Sequence, residues 1–166
     1  MTSARVVLEV YPHAGLVALF DLPKSLKYKK GPVERRRAGL MELSEYLANL
    51  KHAKPPLRGN DRLSGLLDRD IGPIRGRDLK AHEDRLDGLV CAYLGYYFWY
   101  GRLTRNKIIG DVETGYIAIP HLVAGGIGAT PNKTRILAAR GTKRRKSRKL
   151  SRRGKIGVQG AAGADR

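Results

Sequence analysis

The chain opens on Arg5-Val-Val-Leu-Glu-Val-Tyr-Pro12, a run dense in β-branched residues that a proline closes. Proline has no amide to offer a ladder and pushes the residue before it toward extended backbone. This predicts a buried-type strand carrying Glu9 near its end. After Pro12, the apolar Leu16, Val17, Leu19 and Phe20 follow a short helical pattern over 13–22, stopped by Pro23. A basic connector from Lys24 to Lys30 leads to Gly31-Pro32. From Val33 to Leu50, Leu40, Leu43, Leu47 and Leu50 recur at spacings of three and four, the signature of a helix with one buried stripe.

Residues 51–77 hold three prolines and four glycines around a short apolar patch at Leu63, Leu66 and Leu67, which predicts a loop with one turn of helix. A second long helix is predicted from about Asp78 to Tyr97, where Leu79, Leu86, Leu89, Val90, Tyr93 and Tyr97 share a face. Asp78 is its expected N-cap, since a carboxylate there accepts from the free amides of the first turn. The turn-like Gly110-Asp-Val-Glu-Thr114 precedes Gly115-Tyr-Ile-Ala-Ile-Pro120, a short strand between glycine and proline. Residues 124–166 are rich in Gly, Ala, Lys and Arg and contain no aromatic, so they bury too little apolar area to offset chain entropy. The expected organisation is therefore one domain over 1–121 and a disordered basic tail over 122–166.

Charge sharpens this division. The net charge is +18, and residues 114–166 hold 13 Lys and Arg against one acid, Asp165, leaving only +6 for residues 1–113. Nine of the thirteen residues from Lys143 to Lys155 are basic, and Lys143, Arg144, Arg145, Lys146, Arg148, Lys149, Arg152 and Arg153 form their core. Such a segment binds DNA or RNA without sequence preference, through counterion release. Lys27, Lys29 and Lys30, with Lys24, offer further phosphate contacts, although short basic runs are also common as solvated loops. Arg35 to Arg37 fall in the same class.

Several features exclude other chemistry. Cys91 is the only cysteine, so no intrachain disulfide forms, and no secretory leader is legible at the N-terminus; a cytoplasmic location is the default expectation. No apolar run approaches the roughly 20 residues needed to span a bilayer. Cys91, on an apolar helical face, reads as a small core residue. No His and Cys arrangement has zinc spacing; His13 and His82 sit near acids in sequence, where an imidazole can assist proton transfer, but surface histidines without a role are the commoner reading. Gly125 to Thr134 ends in Lys133-Thr134, but the glycines of a phosphate-cradling loop would fall at Ile127 and Asn132, so that motif fails. Tyr96-Tyr-Phe-Trp-Tyr100 reads as a helix end covering the core rather than a base-stacking surface.

Asp84 and Asp87 stand three apart on the second long helix, which puts both carboxylates on one face about one turn apart. A solvated face is the commoner reading of such a pair, and a shared divalent cation the sharper one. The surrounding motifs bear on that choice. Glu9-Val-Tyr-Pro12 at a strand end, Leu26-Lys-Tyr-Lys-Lys30, residues 34–40, Glu83-Asp-Arg-Leu-Asp-Gly-Leu-Val-Cys-Ala-Tyr93 and residues 110–120 occur in one order. Together they resemble the predicted RNase H-like nucleases, a family catalogued as a domain of unknown function, over residues 5 to about 120.

The resemblance implies an α/β fold, specifically the C-terminal half of an RNase H-like domain with helices packed on a truncated sheet. It implies a nuclease that uses Mg²⁺ or Mn²⁺, with Glu9 as the strand acid and Asp84 and Asp87 as the helix acids. These three residues are the implied metal ligands and catalytic groups. The family begins with earlier strands that carry a further aspartate, so the resemblance implies a truncated enzyme of low or no activity as an isolated chain. A partner chain that completes the sheet, and nucleic acid as substrate, are the partners this reading implies. The alternative is a non-catalytic nucleic-acid-binding protein acting through its tail.

Overall fold

The computed structural model of the protein describes residues 7–121 and 126–127. These lie in one compact unit spanning Met1–Pro131. Helix α1, Pro12–Phe20, starts where expected: Tyr11 is extended, and Pro12 supplies a preset φ at a position whose amide has no helical partner. It ends at Asp21, which adopts the left-handed conformation (φ 50°, ψ 49°), two residues before Pro23. Leu16, Leu19 and Phe20 are buried.

Helix α2, Val33–Asn49, follows Gly31-Pro32 and runs into a short 3-10 turn, Leu50–His52. The predicted leucine stripe is its core face, with Leu40, Leu43, Leu47 and Leu50 all buried. Gly39 interrupts that stripe for a reason. A Cβ at this position would meet the carbonyl oxygen of Lys27 at 2.5 Å and the amide nitrogen of Tyr28 at 2.9 Å. The absence of a side chain thus lets the basic connector lie against α2 and sends the Tyr28 ring into the core, where it is 0 % exposed.

The 51–77 segment carries more helix than expected. Helix α3, Asp61–Leu67, spans seven residues, and the Asn60 side chain caps it by accepting from the amides of Arg62 and Leu63. None of its residues is fully buried, which is why its apolar pattern was weak in the sequence.

Helix α4, Gly76–Arg105, outruns its predicted limits at both ends. Arg75, not Asp78, occupies the N-cap; Asp78 lies inside the first turn, where its charge still suits the helix dipole. Arg102 departs from helical backbone (φ 44°, ψ −144°) just before the end. Leu79, Leu86, Val90, Tyr93 and Tyr97 form the buried face, and Tyr93 Oη donates to the Pro55 carbonyl at 2.8 Å. Of the aromatic cluster, Tyr97 covers the core, whereas Tyr96, Trp99 and Tyr100 are exposed.

Strands β1, Asn106–Asp111, and β2, Gly115–Pro120, form an antiparallel hairpin in which Lys107 faces Ile119 and Ile109 faces Ile117. Asp111 shapes the turn: its Oδ1 accepts from the amides of Glu113 and Thr114 and from the Thr114 hydroxyl. These bonds hold its carboxyl below the usual carboxylate range. The predicted opening strand is reduced, among the described residues, to one parallel bridge between Val10 and Ala118. The Ala118 amide donates to the Glu9 carbonyl at 2.9 Å and Tyr116 Oη to the Val7 carbonyl at 2.9 Å. Val7 is largely exposed, and the sheet among the described residues consists of β1 and β2. The described fold is mixed α/β, with four α-helices and a two-stranded antiparallel sheet. No helix among the described residues is long and apolar enough to cross a membrane.

Candidate functional site

The helical spacing of Asp84 and Asp87 brings their carboxylates together, and it adds a third that sequence reading did not assign. Glu83, Asp84 and Asp87 each place an oxygen within 4.8 Å of the others. Their environments differ. Asp84 is exposed, Asp87 half-buried, and Glu83 only 2 % exposed. Glu9 is exposed on the segment beside β2 and does not belong to this group.

Each carboxylate meets a cation. Arg36 Nη2 donates to Glu83 Oε2 at 2.9 Å, bridging α2 and α4. Lys80 Nζ donates to Glu83 Oε1 at 2.9 Å and to Asp84 Oδ1 at 2.7 Å. These two acids, Asp84 first, hold the Lys80 ammonium in its charged form and raise its pKa. Asp87 is engaged at both oxygens: Tyr28 Oη donates to Oδ1 at 2.8 Å, and Lys29 Nζ lies 2.6 Å from Oδ2. Burial, followed by the hydrogen bond to Asp87, pushes the Tyr28 phenol far above its ordinary pKa, so it remains a proton donor to Asp87.

Both histidines expected on the surface are drawn inward. His82 is 1 % exposed on α4, and His13, at the start of α1, sets its ring at a tilt 5.1 Å from that of Tyr28. Burial lowers the pKa of His13, and the neighbouring Lys29 lowers it further against a smaller opposing pull from Asp87. Its Nδ1 is buried without a hydrogen-bond partner. The result is a neutral imidazole beside Asp87. Cys91, one turn beyond Asp87, is half-buried, and burial followed by the nearby carboxylate raises its pKa, which keeps it a thiol.

The family model described as a protein of unknown function, DUF429, matches residues 1–114. The chain belongs to the DUF429 family. Neither the curated proteins nor the solved structures yield a match to it. The matched span of this DUF429 chain contains the whole carboxylate group and the basic connector with Lys27, Lys29 and Lys30.

Those three lysines border a cavity of about 570 Å³ between the connector, α1 and the hairpin, and Lys107 of β1 joins them there. Sequence reading missed Lys107 because a single lysine in a short strand carries no motif. The antiparallel register is what turns it toward the connector. The basic residues Lys143, Arg144, Arg145, Lys146, Arg148, Lys149, Arg152 and Arg153 lie outside the described residues.

Proposed function

We propose that this DUF429 chain contributes the late-helix acids and phosphate-binding lysines of a metal-dependent, RNase H-like phosphodiesterase acting on nucleic acid. The observation that carries this reading is the convergence of Glu83, Asp84 and Asp87 on one turn of α4, next to a lysine-bordered cavity. Lys29 links the two, since it contacts Asp87 and also borders the cavity.

The donor set suits a hard divalent cation, because all three groups offer oxygens and none offers a soft ligand. Asp84 and Asp87 are the residues to hold Mg²⁺ or Mn²⁺. Glu83 is committed to Arg36 and shapes the site from behind. When bound, such ions polarise the phosphate and lower the pKa of a coordinated water. The chain's own groups do the rest. Tyr28 fixes the orientation of Asp87. Lys29 releases Asp87 Oδ2 and turns to the phosphate. His13, its pKa lowered by burial, adds no positive charge beside Asp87. Glu9, the implied strand acid, stands apart from this turn, and a partner strand along the Val7–Val10 edge is the natural source of a further carboxylate to complete the ligand set.

Cleavage of a labelled oligonucleotide in Mn²⁺ by the native chain, compared with Asp87→Asn, tests this. The reading predicts weak Mn²⁺-dependent cleavage by the isolated chain that the substitution brings down to the metal-free background, because ligand loss removes charge stabilisation in the transition state. Identical background from the two chains contradicts it.

The charge of residues 143–155 favours a second reading, in which the tail binds nucleic acid and no hydrolysis occurs. Deleting residues 122–166 then abolishes most low-salt binding and flattens the salt dependence, whereas unchanged binding excludes it.

A further inference from the structure

We infer that the cavity bordered by Lys27, Lys29, Lys30 and Lys107 is a binding site for a single phosphate-bearing nucleotide, free or at the end of a strand. The inference rests on the phosphodiesterase reading for its place in catalysis but not for its binding test. Three observations carry it. The first is convergence: lysines from the connector and from β1, far apart in sequence, meet at one cavity. The second is charge. No Asp or Glu lies among the residues lining it, and among the described residues Lys27, Lys30 and Lys107 have no ion-pair partner. Only Lys29 is neutralised, by Asp87 at its far side. An electropositive concavity with no internal counterion draws anions, and the low-dielectric walls strengthen the attraction.

The third observation is the wall itself. Val17 and Ala18 of α1 face Ile109 and Ile119 of the hairpin, with Tyr11 and His13 at the α1 entrance. This is an apolar slot with cations at its rim, the usual composition of a small-molecule site, and about 570 Å³ falls within the usual range of roughly 300–1,000 Å³. A base fits against the aliphatic wall or the Tyr11 ring, and its phosphate meets the ammonium groups. A volume of about 570 Å³ takes one nucleotide rather than a stretch of duplex. Because Lys29 spans the cavity and Asp87, a phosphate held here lies next to the acidic turn of α4, so the nucleotide bound is the one beside the bond to be cut. The proposed substrate class is thus a single-stranded end, not the interior of a helix.

Isothermal titration of the full chain with uridine 5′-monophosphate, in EDTA so that no metal contributes, tests the site. Lys107→Gln is the decisive variant, since it is exposed on β1 and outside the acid cluster, and Lys51→Gln, a solvent-exposed lysine away from the cavity, controls for loss of charge alone. The expected result is saturable binding that Lys107→Gln weakens about fivefold and Lys51→Gln leaves unchanged. No saturable binding, or equal effects of the two substitutions, overturns the inference. The dinucleotide pUpU then distinguishes the sources. Tighter binding of pUpU than of the free monophosphate identifies a strand end as the occupant, and the reverse identifies a free nucleotide. Equal binding of uridine and uridine 5′-monophosphate removes the phosphate from recognition and overturns the site. Failure of Mn²⁺-dependent cleavage leaves these results unaffected, so the two readings fail separately.

Discussion

On one side of Lys29, every carboxylate of the α4 turn is answered by a cation; on the other, three lysines face a cavity that holds no acid. The difference teaches where this fold stores stability and where it keeps binding capacity. Glu83 is withdrawn from water and hydrogen-bonded to the half-buried Arg36, so their pairing is part of the packing of α2 on α4. Lys27, Lys30 and Lys107 remain solvated and carry no structural duty that a neutral residue could not meet. Asp87 belongs to both sides. Tyr28 anchors it to the core, and Lys29 holds it by a contact that a metal ion or a phosphate can compete for.

Breaking the paired side should give the largest effect. Glu83→Gln keeps the shape but leaves the Arg36 guanidinium without its charge partner between two helices, and we expect a loss of about 3 kcal/mol in urea unfolding. A loss under about 1 kcal/mol would mean that the pair is effectively solvated. Tyr28→Phe is milder. It removes only the hydroxyl that orients Asp87, while the ring keeps its buried place, and an expected loss of about 1 kcal/mol in the same assay should come with weaker Mn²⁺ uptake. Retained uptake would free Tyr28 from any role in holding Asp87.

The smallest effect concerns pH. Burial, then Arg69 and Arg85, lowers the pKa of His82 from 6.5, and burial with Lys29 lowers that of His13. The unfolded chain therefore takes up these protons first as pH falls. Their contribution is complete above about 6.5 and is lost progressively below it, toward the lowered folded-state values. Thermal unfolding at a series of pH values should show a falling Tm through this window, and His82→Gln should flatten the slope. A slope unchanged by that substitution would place the acid sensitivity elsewhere.

Local pattern carried much of the fold. The leucine spacing of α2, the apolar face of α4 and the Gly-to-Pro bounds of β2 were legible because each depends on residues a few positions apart. Strand β1 was not, since Asn-Lys-Ile-Ile-Gly-Asp offers only two apolar residues and becomes a strand by pairing with β2. Of the opening strand, the described residues keep one bridge, because β propensity at Val7 and Val10 does not make a ladder without a paired neighbour. At the site, the shared face of Asp84 and Asp87 was legible from helical spacing, whereas their reading as metal ligands came from the family resemblance. Glu83 acquires its role from Arg36, 47 residues away, and Lys107 from the hairpin register; contacts of that range have no local signature. His13 likewise reads as a surface residue until Tyr28 is packed beneath it.

The central claim, that the acidic turn of α4 holds a divalent cation, is tested most directly by titrating the native chain and Asp87→Asn with Mn²⁺ and following free ion by electron paramagnetic resonance. The account predicts specific uptake by the native chain that Asp87→Asn weakens about tenfold or more. Equal uptake by the two chains would contradict it.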